Sequence, residues 1–163
     1  MVISISVWGQ HSITGYKKNG IIFQDRFDTG FNRQDWQTEI ASVGTSAVYV
    51  NKNKLLLDTE GCVTVWLNKK LSGNLLIEYK RKILKDSGQN DRVSDLNQFW
   101  MATDPNNKCL FTRNGILEEY DCLSLYYAGM GGNHNITTRF RKYENGDRRL
   151  LKEYSDCPSP IAK

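Results

Sequence analysis

The stretch ITTRFRKY, Ile136 to Tyr143, decides the fold. Its residues alternate with period two, which sets Arg139, Arg141 and Tyr143 on one face of a strand. Asn145-Gly146 follows one residue later, the dipeptide best suited to the two left-handed positions of a tight hairpin turn. Arg149 to Tyr154 then reads as the returning strand. A longer stretch, Leu75 to Leu84 (LLIEYKRKIL), has the same period. Leu75, Ile77, Tyr79, Arg81 and Ile83 form a mostly apolar face, and the intervening positions from Glu78 to Lys82 are charged.

Strand signals extend outward from these two stretches. Ile21 to Phe27 opens on an apolar run and ends in turn residues. Ala47 to Val50 and Lys54 to Leu57 flank Asn51-Lys52-Asn53, a second hairpin. Cys62 to Leu67 (CVTVWL) is rich in β-branched and aromatic residues. Leu96 to Met101 and Leu123 to Ala128 add two more strands, and Gly129 to Asn135 (GMGGNHN) is a flexible connection between strands. The one helical candidate is a turn at Arg33 to Trp36, capped by Asn32. About ten short strands with little helical periodicity predict an all-β fold, an antiparallel two-sheet β-sandwich.

The chain has 163 residues, a length that fits one domain. Eighteen aromatic residues (4 Trp, 8 Tyr and 6 Phe) exclude wholesale disorder. With 22 basic and 18 acidic residues the net charge is +4, and the basic residues are interleaved with acids, which disfavours nucleic acid as a partner. No apolar run reaches the roughly 18 residues of a membrane-spanning helix. Residues 1–20 read as an N-terminal segment with no clear signal peptide, since no basic residue precedes its apolar stretch, the tail of one being the alternative, and 21–154 as the domain. Residues 155–163 (SDCPSPIAK) have no strand pattern, so a domain cut short at its C-terminal end is expected.

Cys62, Cys109, Cys122 and Cys157 form no CxxC pair, and with only two histidines they predict free thiols and no metal centre. One disulfide in an oxidising compartment stays open. Asp104 with Asn106 offers two oxygens toward calcium, too few for a site. Glu119 and Asp121 are a candidate carboxylate pair for glycoside hydrolysis, set against a solvated strand end. Asp95 and Asp104 read equally as turn residues.

The stretch Asp95 to Trp100 puts acid, amide and indole groups on one strand. Trp100 has an apolar body and a donor N–H, which suits stacking on a sugar ring. Arg139 and Arg141 share a face and can bind a carboxylate in bidentate fashion, or else pair with Glu78, Glu144 or Glu153 across strands. Ligand-binding candidates are therefore Asn97, Trp100, Tyr126, Asn133, His134, Arg139 and Arg141, with the two arginines foremost for an acidic sugar. Period two sets Asn97 and Trp100 on opposite faces unless a bulge intervenes.

Four blocks carry a resemblance: Phe23 to Glu39, Arg92 to Pro105, Tyr126 to Tyr143 and Arg148 to Tyr154. Together they resemble a concanavalin-like jelly-roll domain family of unknown function found in secreted bacterial polysaccharide-utilisation proteins. The resemblance spans roughly residues 21 to 154. It implies a jelly roll that binds or processes polysaccharide in the periplasm or outside the cell. It transfers no catalytic residues.

Three functions stay open. A polysaccharide lyase needs a group that neutralises a uronate carboxylate (Arg139 or Asn97) and a proton exchanger (Tyr126, Tyr127 or His134). It is favoured over a glycoside hydrolase because no clean carboxylate pair stands out. A non-catalytic carbohydrate-binding module would use Trp100 and nearby tyrosines. A structural or interaction sandwich would need no sugar at all.

Overall fold

A computed structural model describes residues 2–4, 14–93, 96–107 and 109–154, with the backbone alone for 2–4. It is all-β. Among the described residues ten strands form in chain order: β1 (Val2–Ser4), β2 (Trp36–Ile40), β3 (Ala47–Val50), β4 (Leu55–Asp58), β5 (Val63–Leu67), β6 (Lys80–Lys82), β7 (Leu96–Thr103), β8 (Ser124–Gly131), β9 (Thr137–Glu144) and β10 (Asp147–Tyr154). They build three antiparallel sheets, ordered β3-β4-β1-β6, β10-β9-β8-β7 and β2-β5.

Both expected hairpins form. Asn145 (φ 54°) and Gly146 (φ 81°) supply two consecutive left-handed residues between β9 and β10, and Lys52 (φ 48°) and Asn53 (φ 57°) do so between β3 and β4. These positive values match the right-handed twist of the strands they join. The register of β9 sets Arg139, Arg141 and Tyr143 on one face, as the alternation predicts.

Other expectations fail for local reasons. Residues 21–27 form no strand, and Ile21 and Ile22 are exposed. Here Asp25 accepts from the Phe27 N–H and from Trp36 Nε1, both at 2.7 Å, and Phe27 turns left-handed (φ 55°) to bury its ring beside Trp36. Leu75 to Leu84 pairs only over Lys80–Lys82, against Val2–Ser4. Leu75, Leu76 and Ile77 are exposed. Residues of the segment read as lying before the domain thus take the place between β4 and β6. Asn32 does cap a turn, its Oδ1 accepting from the Gln34 N–H, but from Trp36 onward the chain is a strand paired with β5. The expected connection Gly129 to Asn135 begins as strand, since β8 runs on to Gly131, and its turn is confined to Gly132–Asn135. The C-terminal stretch 155–163, with Cys157, and also Asp95 lie outside the described residues.

The core lies on one face of the β7–β10 sheet. Trp66 of β5 packs edge-on against Phe99 of β7, with ring centroids 4.8 Å apart. Tyr120, Leu123, Leu125 and Tyr143 complete the buried cluster. A bulge in β7 after Trp100, with Met101 at φ 55°, turns Met101 to solvent and Ala102 onto the core.

A buried polar network locks this cluster. Glu39 of β2 accepts from Trp66 Nε1 and the Tyr120 hydroxyl, each at 2.7 Å, and from the Arg113 backbone N–H at 2.6 Å. Glu39 is 6% exposed, so those three donors replace the water its carboxylate loses. Burial pushes the Tyr120 hydroxyl well above its usual range, which keeps it a donor. Nearby the Arg113 guanidinium binds Asp104 at 2.6 Å, the Glu119 carbonyl at 2.7 Å and the Leu110 carbonyl at 3.1 Å.

Candidate functional site

The second face of the β7–β10 sheet differs in kind from the core face. Register places Trp100 opposite Tyr126, Tyr126 opposite Lys142, and Lys142 opposite Arg149. These four side chains form one row across four strands, spanning three strand spacings, about 15 Å. The next row holds Gln98, Ala128, Phe140 and Lys152.

Three rings from these rows stack on one another. Trp100 and Phe140 lie 5.9 Å apart at 11°, Tyr126 and Phe140 5.9 Å apart at 15°, and Trp100 and Tyr126 6.3 Å apart at 23°. The small Ala128 between Gln98 and Phe140 leaves space for the rings to lean together. All three rings are half-buried, so part of each surface meets solvent. Lys142, with its ammonium 2.8 Å from Glu144, flanks them on one side. Lys152 lies beyond Phe140, with its Nζ 5.4 Å from the Tyr154 ring.

The candidate residues read from the sequence divide between the two faces. Trp100 and Tyr126 share the aromatic face. Asn97, Arg139 and Arg141 lie on the opposite face, the one that carries Phe99 and Tyr143 into the core. The β7 bulge follows Trp100, so it does not bring Asn97 and Trp100 together. Arg139 bonds Glu153 across the β9–β10 hairpin. Trp100 and Tyr126 therefore do not share a face with Arg139 and Arg141. Arg141 lies by the buried Tyr143 hydroxyl, where it partly offsets the rise that burial imposes on that group.

Asn133 and His134 are exposed on a tight turn, Gly132–Asn135, after β8. Their backbones are left-handed (φ 52° and 60°), and Asn135 (φ 69°) continues the run. From Tyr126 the strand runs on five residues to Gly131, about 17 Å, before this turn begins. Tyr126, His134 and Arg139 therefore do not converge. Asn135 and Thr137, beside this turn, are both buried.

The carboxylate candidates are engaged elsewhere. Glu119 lies in a 3-10 turn (Leu117–Tyr120), where its Oε2 accepts from the Asn114 N–H at 2.9 Å. Asp121 binds Arg148 through both oxygens, at 2.5 and 3.0 Å. Asp104 gives one oxygen to Arg113 and the other to the Asn106 N–H. The Arg113 hydrogen bond holds its carboxyl below the usual range. Among the described residues no three His, Cys, Asp or Glu side chains gather to hold a metal ion. Cys62, Cys109 and Cys122 are free thiols.

Phe140, Lys142, Arg149 and Lys152 were not singled out from the sequence as site residues. Strand parity was the available signal: once Tyr143 is assigned to the core, Phe140 and Lys142 must face away from it.

The molecule is thus an all-β, antiparallel protein with an aromatic and cationic row on one sheet face. A family model described as a domain of unknown function (DUF6250) matches residues 57–162, and the chain belongs to that family. No curated protein and no solved structure matches the chain. No helix among the described residues is long and apolar enough to cross a membrane.

Proposed function

We propose that the chain is a β-sandwich of the concanavalin-like jelly-roll type that binds polysaccharide outside the cytoplasm, on the face that carries Trp100, Tyr126 and Phe140. The stacked rings are the observation that carries this reading. Half-buried rings are held in place by one another, so they lose little conformational freedom when a ligand lies on them. Sugars present C–H faces to such rings and hydroxyls to their rims, where Gln98 and the Tyr126 hydroxyl stand. The resemblance of the Arg92–Pro105 and Tyr126–Tyr143 blocks to secreted polysaccharide-utilisation domains supports the same class of ligand.

Binding without catalysis fits the geometry better than lysis. A lyase needs its carboxylate neutraliser and its proton exchanger on one sugar unit. Arg139 and Tyr126 face opposite sides of the sheet, His134 lies at the end of β8, and Tyr127, which does share the face of Asn97 and Arg139, packs its ring on the buried Tyr143 in the core cluster. Affinity electrophoresis in gels containing plant and algal polysaccharides tests the reading. Retarded migration with at least one polymer, with no release of unsaturated uronate absorbance, is expected. Migration unchanged by every polymer contradicts binding, and growth of that absorbance contradicts the non-catalytic assignment.

A further inference from the structure

The row that begins with two aromatic rings ends with two cations. Lys142 and Arg149 are direct cross-strand partners on the same face. Like charges placed opposite each other destabilise a strand pair, and here Glu144 offsets the repulsion by attracting both cations. Glu144 takes up part of the Lys142 charge at 2.8 Å. Arg149 is exposed and makes no ion pair with a described residue. A shallow depression of about 300 Å³ lies at this end of the row, lined by Lys142, Glu144, Asn145, Asp147 and Arg149.

We infer that Lys142 and Arg149 form an anion subsite, and that the polysaccharide class of this face is acidic, with a carboxylate or sulfate seated against the two cations. The inference rests on the polysaccharide reading and adds the charge of the ligand to it. A sugar stacked on Trp100 and Tyr126 places its neighbour along the row about 5–10 Å away, over Lys142 and Arg149. Arginine offers a two-pronged donor to a planar carboxylate or a sulfate edge, and lysine adds a compact charge beside it. Glu144, Asp147 and Asn145 in the same depression offer acceptors and an amide to hydroxyls.

The test titrates the full chain with four polymers: polygalacturonate, its fully methyl-esterified form, a sulfated galactan and oligo-dT. The wild type is expected to bind polygalacturonate or the sulfated galactan at least tenfold tighter than the ester, with the preference shrinking as salt rises. Which of the two is preferred identifies the anion as carboxylate or sulfate. The pair Lys142→Gln and Arg149→Gln should abolish the preference and leave affinity for the ester unchanged. The single variant Arg149→Gln, at an exposed position, should give a partial loss, and thermal melting checks that each variant folds. Equal binding of acid and ester by the wild type overturns the inference but leaves the polysaccharide reading standing. So does a preference that survives both substitutions. Oligo-dT bound tighter than every polysaccharide overturns the choice of ligand class. Binding of no polymer overturns the polysaccharide reading itself, and this inference with it.

Discussion

The rings of Trp100 and Phe140 stack 5.9 Å apart with planes at 11°, although β8 runs between their strands. Ala128 sits opposite Phe140 on that middle strand, and its small side chain lets the two larger ones meet above it. The contact ties the aromatic face together across three strands without using the core.

Phe140→Ala should therefore loosen Trp100 and Tyr126 as well as remove a ring. Polysaccharide affinity is expected to fall by roughly 2 kcal/mol, about thirtyfold, as for an interface anchor. Titration calorimetry of the folded variant checks this. Full affinity in Phe140→Ala would separate the stack from binding.

Glu39 is a stability residue. Glu39→Leu keeps an apolar side chain in the site but orphans the Trp66 N–H, the Tyr120 hydroxyl and the Arg113 N–H. At about 1 kcal/mol or more per orphaned donor the loss should be about 3 kcal/mol, or roughly 6–12 °C in Tm. A melting curve within two degrees of wild type would mean that water reaches those donors.

Asp104 should shape the acid limb of the stability curve. Its carboxyl is held below the ordinary range, first by the Arg113 hydrogen bond and then by the Asn106 N–H. A depressed native pKa stabilises the fold above the unfolded value, about 3.9 for Asp. That contribution fades as pH falls from there through the lower native value. Asp104→Asn should be less stable than wild type at pH 7, and the gap should narrow below about pH 4. Urea midpoints from pH 2 to 7 measure it, and a constant gap over that range would assign the cost to shape alone.

Gly115 is required by its surroundings. At φ +89° a Cβ would lie 2.6 Å from the Ala41 backbone nitrogen and 2.8 Å from the Glu39 carbonyl oxygen. Backbone cannot swing aside as a side chain can. Gly115→Ala should cost at least about 2 kcal/mol. Chemical denaturation is the check, and a neutral result would show that β2 shifts freely.

How far the sequence could be read depended on whether the deciding contact was local. Asn145-Gly146 and Asn51-Lys52-Asn53 specify their own turns, so both hairpins were legible. Leu75 to Leu84 alternates convincingly, yet pairing needs a partner, and the partner found is only Val2–Ser4. The strand Trp36–Ile40 was hidden because a glutamate occupies its buried position, and Glu39 is explicable only once Trp66 and Tyr120 surround it. At the candidate site, Trp100 and Tyr126 were legible as stacking groups. Arg139 and Arg141 stand out in the sequence by their charge, but they share a parity with buried Tyr143, and Glu153 on the next strand takes Arg139. Phe140 gained its role only through rings contributed by two other strands.

The most direct test sets the two faces against each other in one titration series of wild type, Trp100→Ala and Arg139→Ala against the best-bound polysaccharide. The Arg139–Glu153 pair is partly exposed and worth at most about 1 kcal/mol, so both variants should fold. Affinity should fall about thirtyfold in Trp100→Ala, as for a lost aromatic anchor, and stay at the wild-type value in Arg139→Ala. Loss in Arg139→Ala with Trp100→Ala unchanged would place the ligand on the opposite face and contradict the account.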